Sequence, residues 1–133
     1  MRGRSRPSLG TLLGRALTRR CPVCGVGRPF SGWFRLHETC PHCDYRYERE
    51  SGYWVSAMIV NTAVTEAIFG ILFVAVLVAT IPDVAWVPLL LVGVVTNVAV
   101  PVLFYPLSKT TWVSLDLYFH PLTEDERPAK ARL

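Results

Sequence analysis

The feature that most constrains the fold is a run of 54 residues, 54–107, that contains no lysine or arginine. Glu66 and Asp83 are its only acidic residues. Two stretches within it, 54–81 and 84–107, each exceed the about 20 apolar residues that cross a bilayer. A soluble core of this size could not absorb so much apolar sequence, although a buried helix pair is the alternative. The run therefore predicts two transmembrane helices, joined by a short connector at Pro82 and Asp83.

Basic residues flank this run on both sides. Residues 1–52 carry ten of the fourteen Lys and Arg, Lys109 follows the second span, and the connector has none. Because basic flanks stay in the cytoplasm, we expect both termini to be cytoplasmic in a multi-pass protein of the inner (cytoplasmic) membrane. No signal peptide is expected, since the N-terminus lacks a compact apolar region with a cleavage site.

All four cysteines lie in two matched knuckles, with fifteen residues between the knuckles. The set is Cys21, Cys24, Cys40 and Cys43. This spacing is typical of a four-thiolate zinc site, because two intervening residues let one tight turn aim both sulfurs at one metal. Two disulfides are an alternative, but they belong to oxidising compartments, so a cytoplasmic location favours metal. Spacing alone does not separate zinc from iron in a rubredoxin-like centre.

The knuckles also limit the chemistry. Four thiolates already saturate a tetrahedral site, so His37 and His42 are interpreted as surface groups or groups near the ligands rather than as ligands. A catalytic zinc ion keeps one position open, and the sequence contains no nucleophile pair or phosphate-binding loop. We therefore expect no enzymatic activity.

Residues 20–50 show aromatic strand-formers and period-two alternation around the knuckles, which predicts a small β zinc ribbon. The fold class is thus a membrane α-helical hairpin of two transmembrane helices preceded by this ribbon. Residues 1–19 are predicted as a basic tail with an interfacial helix that begins after Ser8. Residues 51–121 form the hairpin and a juxtamembrane helix, and residues 122–133 a flexible tail.

Polar residues interrupt the predicted spans. They are Asn61, Thr62, Glu66, Thr96 and Asn97. Thr62, Glu66 and Gly70 recur every four residues and suggest a stripe for helix packing. Counted from the connector, Glu66 and Asn97 lie at similar depth, so they are expected to pair. A carboxyl group inside a membrane span suggests a functional role by default. The roles open to Glu66 are an ion relay, a contact with a partner, or a protonated group that holds the helices together.

Several features follow one another in this sequence: the two knuckles, the aromatic entry at Gly52–Trp54, Asn61, and the later Ser108–Lys109, Trp112 and Leu115–Asp116. Their order resembles that of domain of unknown function family 983. The resemblance implies small bacterial membrane proteins with this fold, and it implies no activity. Some relatives are associated with haem-copper oxidase gene clusters, so it also implies an accessory role in assembling a respiratory complex.

These features together predict a non-enzymatic integral membrane protein with a cytoplasmic structural zinc site, which serves a larger membrane complex as an accessory, assembly or docking factor. The alternatives are an oligomeric transporter of ions or small molecules that uses Glu66, and a thiol-based sensor of metal or redox state. The expected partners are the lipid bilayer and another membrane protein or a second copy. Nucleic acid is not favoured, because membrane orientation already explains the arginines near the aromatic residues.

Overall fold

In a computed structural model, which describes residues 7–128 and residue 130, the chain forms three helices: α1 (Leu9–Leu17), α2 (Tyr53–Thr80) and α3 (Trp86–Phe119). Residues 1–6 of the predicted basic tail, and 129 and 131–133 of the predicted flexible tail, lie outside the described residues. Helices α2 and α3 pack against each other as a hairpin. The connector between them contains a cis peptide bond before Pro82.

The hairpin helices are long and apolar enough to cross a membrane. Helix α2 has 28 residues and α3 has 34, or about 42 and 51 Å at 1.5 Å per residue, against a hydrocarbon thickness of about 30 Å. Only 6% and 11% of their most apolar windows are buried by protein. The core helices of a soluble domain would be mostly covered, so this exposure argues against the soluble alternative.

Helix α3 continues without interruption beyond the predicted span. Its first part exposes large apolar side chains such as Val94, Val98 and Leu103, whereas its last part buries Ser108 and Ser114. The predicted juxtamembrane helix is therefore the end of α3 itself. Two prolines, at 101 and 106, lie inside the helix. Small side chains in the last part leave room for other elements to approach its backbone.

Helix α1 packs on this last part of α3. Ser8 caps α1 by accepting a hydrogen bond from the Thr11 backbone N–H at 3.3 Å. Leu12 and Ala16 are buried, and the Ser114 hydroxyl donates to the Leu12 carbonyl oxygen at 3.1 Å. The apolar face that was predicted to lie on lipid is thus covered in part by α3. Contact between the rest of α1 and lipid stays a prediction.

The segment from residue 20 to 50, which we call the cysteine module, has no β-strand in the part of the chain that the structure describes. Two isolated bridges, Phe30 to Leu36 and Thr39 to Arg46, stand where strands were predicted. The predicted β ribbon is therefore not shown. The bridge between Thr39 and Arg46 consists of two cross-chain hydrogen bonds: Cys40 N–H donates to the Tyr45 carbonyl oxygen at 2.8 Å, and Tyr47 N–H donates to the Glu38 carbonyl oxygen at 3.1 Å. Neither bridge continues into a ladder in the described residues.

The loop that carries Trp33 and Phe34, which we call the aromatic loop, contacts α3 and so joins the cysteine module to it. The Trp33 indole N–H donates to the Val102 carbonyl oxygen at 2.7 Å. In a regular helix this oxygen would accept from the residue four positions later, but that residue is Pro106, which has no N–H. The Phe34 ring lies 5.0 Å from the Tyr105 ring. The proline thus creates the acceptor with which the loop docks.

The α1 contact predicts that Ala16→Leu dislodges this helix. Ala16 is fully buried, and overpacking such a site costs about 1–3 kcal/mol. Limited trypsin digestion of detergent-solubilised protein should therefore cleave faster at Arg15, Arg19 and Arg20. Gly14→Ala is the matched control, because a Cβ atom there meets nothing within 4 Å. Equal cleavage of Ala16→Leu and wild type would contradict the packing of α1 on α3.

Candidate metal centre

The structure brings the four predicted cysteines together. Their sulfur atoms all lie within 4.8 Å of one another. The Sγ atoms of Cys21 and Cys43 are 3.9 Å apart, and those of Cys24 and Cys40 are 3.8 Å apart. Each close pair joins one knuckle to the other, so the cluster closes the module on itself.

These distances fit a tetrahedral metal site. Zinc–thiolate bonds of about 2.3 Å at tetrahedral angles put the sulfur atoms roughly 3.8 Å apart. A disulfide would need about 2.05 Å between two sulfurs, and all four cysteines are free thiols. The donor set suits a d¹⁰ or iron centre and leaves no ligand position for substrate once four thiolates bind. The cluster could therefore hold a structural metal ion.

The two knuckles have the same backbone conformation. Gly25 N–H donates to the Cys21 carbonyl oxygen at 2.8 Å, and Asp44 N–H donates to that of Cys40 at 2.9 Å. Gly25 has φ 73° and Asp44 has φ 62°. Asp44 follows the second knuckle at the position that Gly25 occupies after the first. Asp44 nevertheless adopts the left-handed conformation, which aspartate tolerates better than most residues.

Gly27, a second glycine in the turns around the cysteines, was not singled out from the sequence. Cys21 N–H donates to the Gly27 carbonyl oxygen at 2.7 Å, and Gly27 N–H donates to the Cys24 sulfur at 3.4 Å. A Cβ atom on Gly27 would collide with the Cys40 sulfur. Glycine is therefore required here by the close approach of backbone and thiolate, rather than by backbone conformation.

The thiols differ in their readiness to ionise. Burial raises the pKa of the Cys21 thiol to about 11 and raises the pKa of Cys43 further. Burial also acts to raise the pKa of Cys40, but the backbone N–H groups of Cys43 and His42 donate to its sulfur and lower the pKa to about 7. Cys21 and Cys43 therefore hold their protons at neutral pH until a cation displaces them, which couples metal binding to proton release.

Two residues near the cysteines were missed as contributors to the site. Arg15 of α1 donates from Nη1 to the Pro22 carbonyl oxygen at 2.7 Å and to that of Val23 at 3.2 Å. Tyr47 is buried next to the sulfurs, and its phenol group acts to lower the pKa of both Cys21 and Cys40. From the sequence, Arg15 belonged only to the predicted interfacial helix, and Tyr47 only to the alternation that predicted a strand.

The two histidines of the module lie apart from the cluster of cysteines. His37 and His42 are both exposed, and the metal-sized cluster in the described residues contains cysteines alone. This placement agrees with their interpretation as surface groups. The interior of the module instead contains Tyr45 and Tyr47, whose rings meet edge to face at 5.7 Å between centroids.

The polar residues within the two apolar helices are divided between two faces. Asn61 Nδ2 donates to the Pro101 carbonyl oxygen at 3.1 Å, and Thr65 is buried between the helices, as is Thr96. Thr62, Glu66 and Asn97 are exposed. The stripe that packs on α3 is therefore the row of Ala57, Asn61 and Thr65, one residue away from the row that the sequence suggested.

The predicted pair of Glu66 and Asn97 is not formed. Glu66 has no hydrogen-bond or ion-pair partner among the described residues, and the Asn97 amide donates to the Gly93 carbonyl oxygen of its own helix at 2.9 Å. The depth estimate ignored the rotation of each helix. Successive residues differ by about 100° around a helix, so Asn61 and Thr65 face α3 while Glu66 turns away.

A polar cluster joins the cysteine module to the ends of α2 and α3. Arg49 Nη1 lies 2.8 Å from Asp116 Oδ2, and Arg49 Nη2 lies 2.9 Å from Glu126 Oε2. The Tyr53 hydroxyl donates to Asp116 Oδ2 at 3.0 Å. Burial acts to lower the pKa of Arg49, but its hydrogen bonds with Glu126 and Asp116 outweigh this and raise the pKa. Glu126 belongs to the segment predicted as a flexible tail, yet it folds back here.

Fold and site together define a protein class: an apolar two-helix hairpin that carries a four-cysteine module. A family model described as protein of unknown function (DUF983) matches residues 30–117, about two-thirds of the chain. The chain belongs to this family, which confirms the resemblance of its sequence. The matched range includes the second knuckle and Asp116, and begins after the first knuckle. No curated protein and no solved structure matches the chain.

The close approach at Gly27 predicts that Gly27→Ala displaces the Cys40 sulfur and weakens metal binding. The purified variant should contain less than half of the metal per chain that wild type contains, as measured by inductively coupled plasma mass spectrometry. Gly32→Ala is the matched control in the same module, because a Cβ atom there meets nothing within 4 Å. Full metal content in Gly27→Ala would show that the knuckles are not arranged as described.

The polar cluster predicts that Arg49→Gln destabilises the protein. Asp116 would keep its buried carboxyl group but lose a charged partner, at a cost of about 1.5–3 kcal/mol. Thermal unfolding in detergent should occur at a lower temperature than for wild type. Arg28→Gln, an exposed position of the same module, should leave the midpoint unchanged. The same midpoint for all three proteins would mean that the cluster contributes nothing to stability.

Proposed function

We propose that this is a non-enzymatic integral membrane protein of the inner membrane, which docks onto a larger membrane complex as an accessory or assembly factor. Helices α2 and α3 cross the bilayer, and both termini and the cysteine module lie in the cytoplasm. The sparse burial of the hairpin supports the crossing. The basic residues of the module and Lys109, against a connector without Lys or Arg, support the orientation.

The metal in this proposal is zinc in a structural role. The sulfur separations of 3.8 and 3.9 Å support a site closed by four thiolates. About thirty residues without a strand cannot bury enough apolar surface to fold alone, so metal binding would supply the folding energy. Iron fits the same four sulfurs, and metal analysis of protein purified without added metal separates the two.

The observation that carries the docking proposal is the exposure of Glu66. Its carboxyl group lies on the outer face of α2, with no hydrogen-bond or ion-pair partner among the described residues. A polar group in hydrocarbon is costly unless another group covers it. The Asn97 amide, the obvious partner within this chain, already donates to Gly93. We therefore assign the face of Glu66 to a transmembrane helix of another protein that carries a hydrogen-bonding side chain at the same depth.

This placement does not favour the transporter alternative. A transport path between α2 and α3 would need Glu66 to face the helix interface, where Asn61 and Thr65 lie instead. A contact on the outer face serves recognition between helices, because a hydrogen bond inside the bilayer has few competing partners. The protein would then contribute a cytoplasmic surface, which the metal keeps folded, to the complex that it joins.

The test is affinity purification of full-length tagged protein in mild detergent, followed by identification of the membrane proteins that copurify. Wild type should retain a distinct membrane protein that Glu66→Leu loses. Glu66→Gln should retain part of it, because its side-chain amide can still form a hydrogen bond. Asp83→Asn in the connector is the control and should behave as wild type.

Two outcomes would overturn the proposal. In the first, Glu66→Leu copurifies with the same proteins as wild type, which would reduce Glu66 to a group without a docking role. In the second, the copurifying species that depends on Glu66 is only a second, differently tagged copy of this chain. That result would replace the accessory role with a homo-oligomer.

A further inference from the structure

A cavity of about 510 Å³ lies between the cysteine module and the hairpin. Its walls come from the loop 31–38, the segment 46–48, Trp54 at the start of α2 and Lys109 of α3. None of the four cysteines lines it, so it is separate from the metal centre. The volume lies in the range of small-ligand sites, about 300–1,000 Å³. Module and membrane helices must both be present to form it.

The lining of this cavity suits an anion. Three cationic side chains line it, from Arg35, Arg46 and Lys109, together with the carboxylates of Glu38 and Glu48. Within the described residues, neither guanidinium group forms an ion pair or a hydrogen bond. Guanidinium groups bind phosphate oxygens in pairs through their planar donors. Two unengaged guanidinium groups on one cavity are therefore available for a phosphate group.

If the hairpin crosses the membrane as proposed above, the cavity lies at the level of lipid headgroups. The Lys109 ammonium group is 4.7 Å from the centre of the Trp54 ring and 5.0 Å from that of Tyr105. Tryptophan, tyrosine and lysine are typical of the boundary between lipid and water. These contacts hold Lys109 in place and mark the boundary at the first turn of α2.

The aromatic loop extends deeper than Lys109. Trp33 bonds to the carbonyl of Val102, seven residues before Lys109 in α3, which is about 10 Å further along the helix axis. Phe34 has 58% of its surface exposed and also lines the cavity. In the proposed membrane orientation, the Phe34 side of the cavity is therefore apolar and lies on the acyl-chain side of Lys109.

We propose that this cavity binds one anionic phospholipid of the cytoplasmic leaflet. Arg35 and Arg46 contact its phosphate group, Lys109 adds a fixed positive charge, and Phe34 contacts the acyl chains near the headgroup. A free phosphate shares the anionic chemistry but not the chains. The combination of basic and apolar walls favours the lipid. Binding would fasten the module to the hairpin from a side that the protein itself leaves open.

The experiment measures binding to full-length protein in detergent by isothermal titration calorimetry. The probes are dioctanoyl phosphatidylglycerol, dioctanoyl phosphatidylcholine and glycerol 3-phosphate. Wild type should bind phosphatidylglycerol most tightly of the three. The double variant Arg35→Gln/Arg46→Gln should bind it about thirtyfold more weakly, the factor expected for two basic residues near an anionic lipid. Arg28→Gln, an exposed arginine outside the cavity, should bind as wild type does.

Metal content confirms that each variant is folded, since both substituted arginines are exposed and neither belongs to the cysteine cluster. Equal affinity for phosphatidylglycerol and phosphatidylcholine would overturn the proposal, as would equal affinity of wild type and the double variant. Glycerol 3-phosphate that binds as tightly as phosphatidylglycerol would also overturn it, because the site would then recognise a free phosphate group without need of a lipid.

Discussion

The convergence of four cysteine sulfurs on one point is the constraint on which the cysteine module depends. The module has no strand in the described chain, and its backbone pairs across the chain at two isolated bridges. Chain entropy opposes a segment of this length with so small a core. In the proposed metal site, four bonds to a metal ion would compensate for that loss. The positions of Arg15 over the first knuckle and of Tyr47 beside the sulfurs follow from this convergence.

The hairpin provides the other half of the architecture. Helix α3 changes character along its length, from apolar and exposed to small and buried, and so one element forms half of the hairpin and also supports α1. Pro106 frees a carbonyl group that accepts from Trp33. Asp116 accepts from Arg49 and Tyr53. Polar contacts at backbone and side-chain atoms thus join α3, the cysteine module and α1. These contacts fix the relative positions of the three elements.

The sequence predicted two long apolar helices and the cluster of four cysteines well, because each depends on a local pattern: an apolar run of sufficient length, and pairs of cysteines separated by two residues. It failed where position around a helix decides the outcome. Glu66 and Asn97 have matching depth but different directions, and only packing of α2 on α3 reveals this. The predicted ribbon is not shown, because each pairing stops at one isolated bridge, and alternation alone does not set how far a pairing extends. Arg49 and Asp116 are 67 residues apart, so no local signal could pair them.

The central claim is that one metal ion bound by four thiolates holds the module together. X-ray absorption at the metal edge of the purified full-length protein tests it most directly. If four thiolates bind the metal, its first coordination shell contains four sulfur atoms at about 2.3 Å, with one metal per chain. A shell that contains nitrogen or oxygen, or a protein without metal whose mass shows two disulfides, would contradict it.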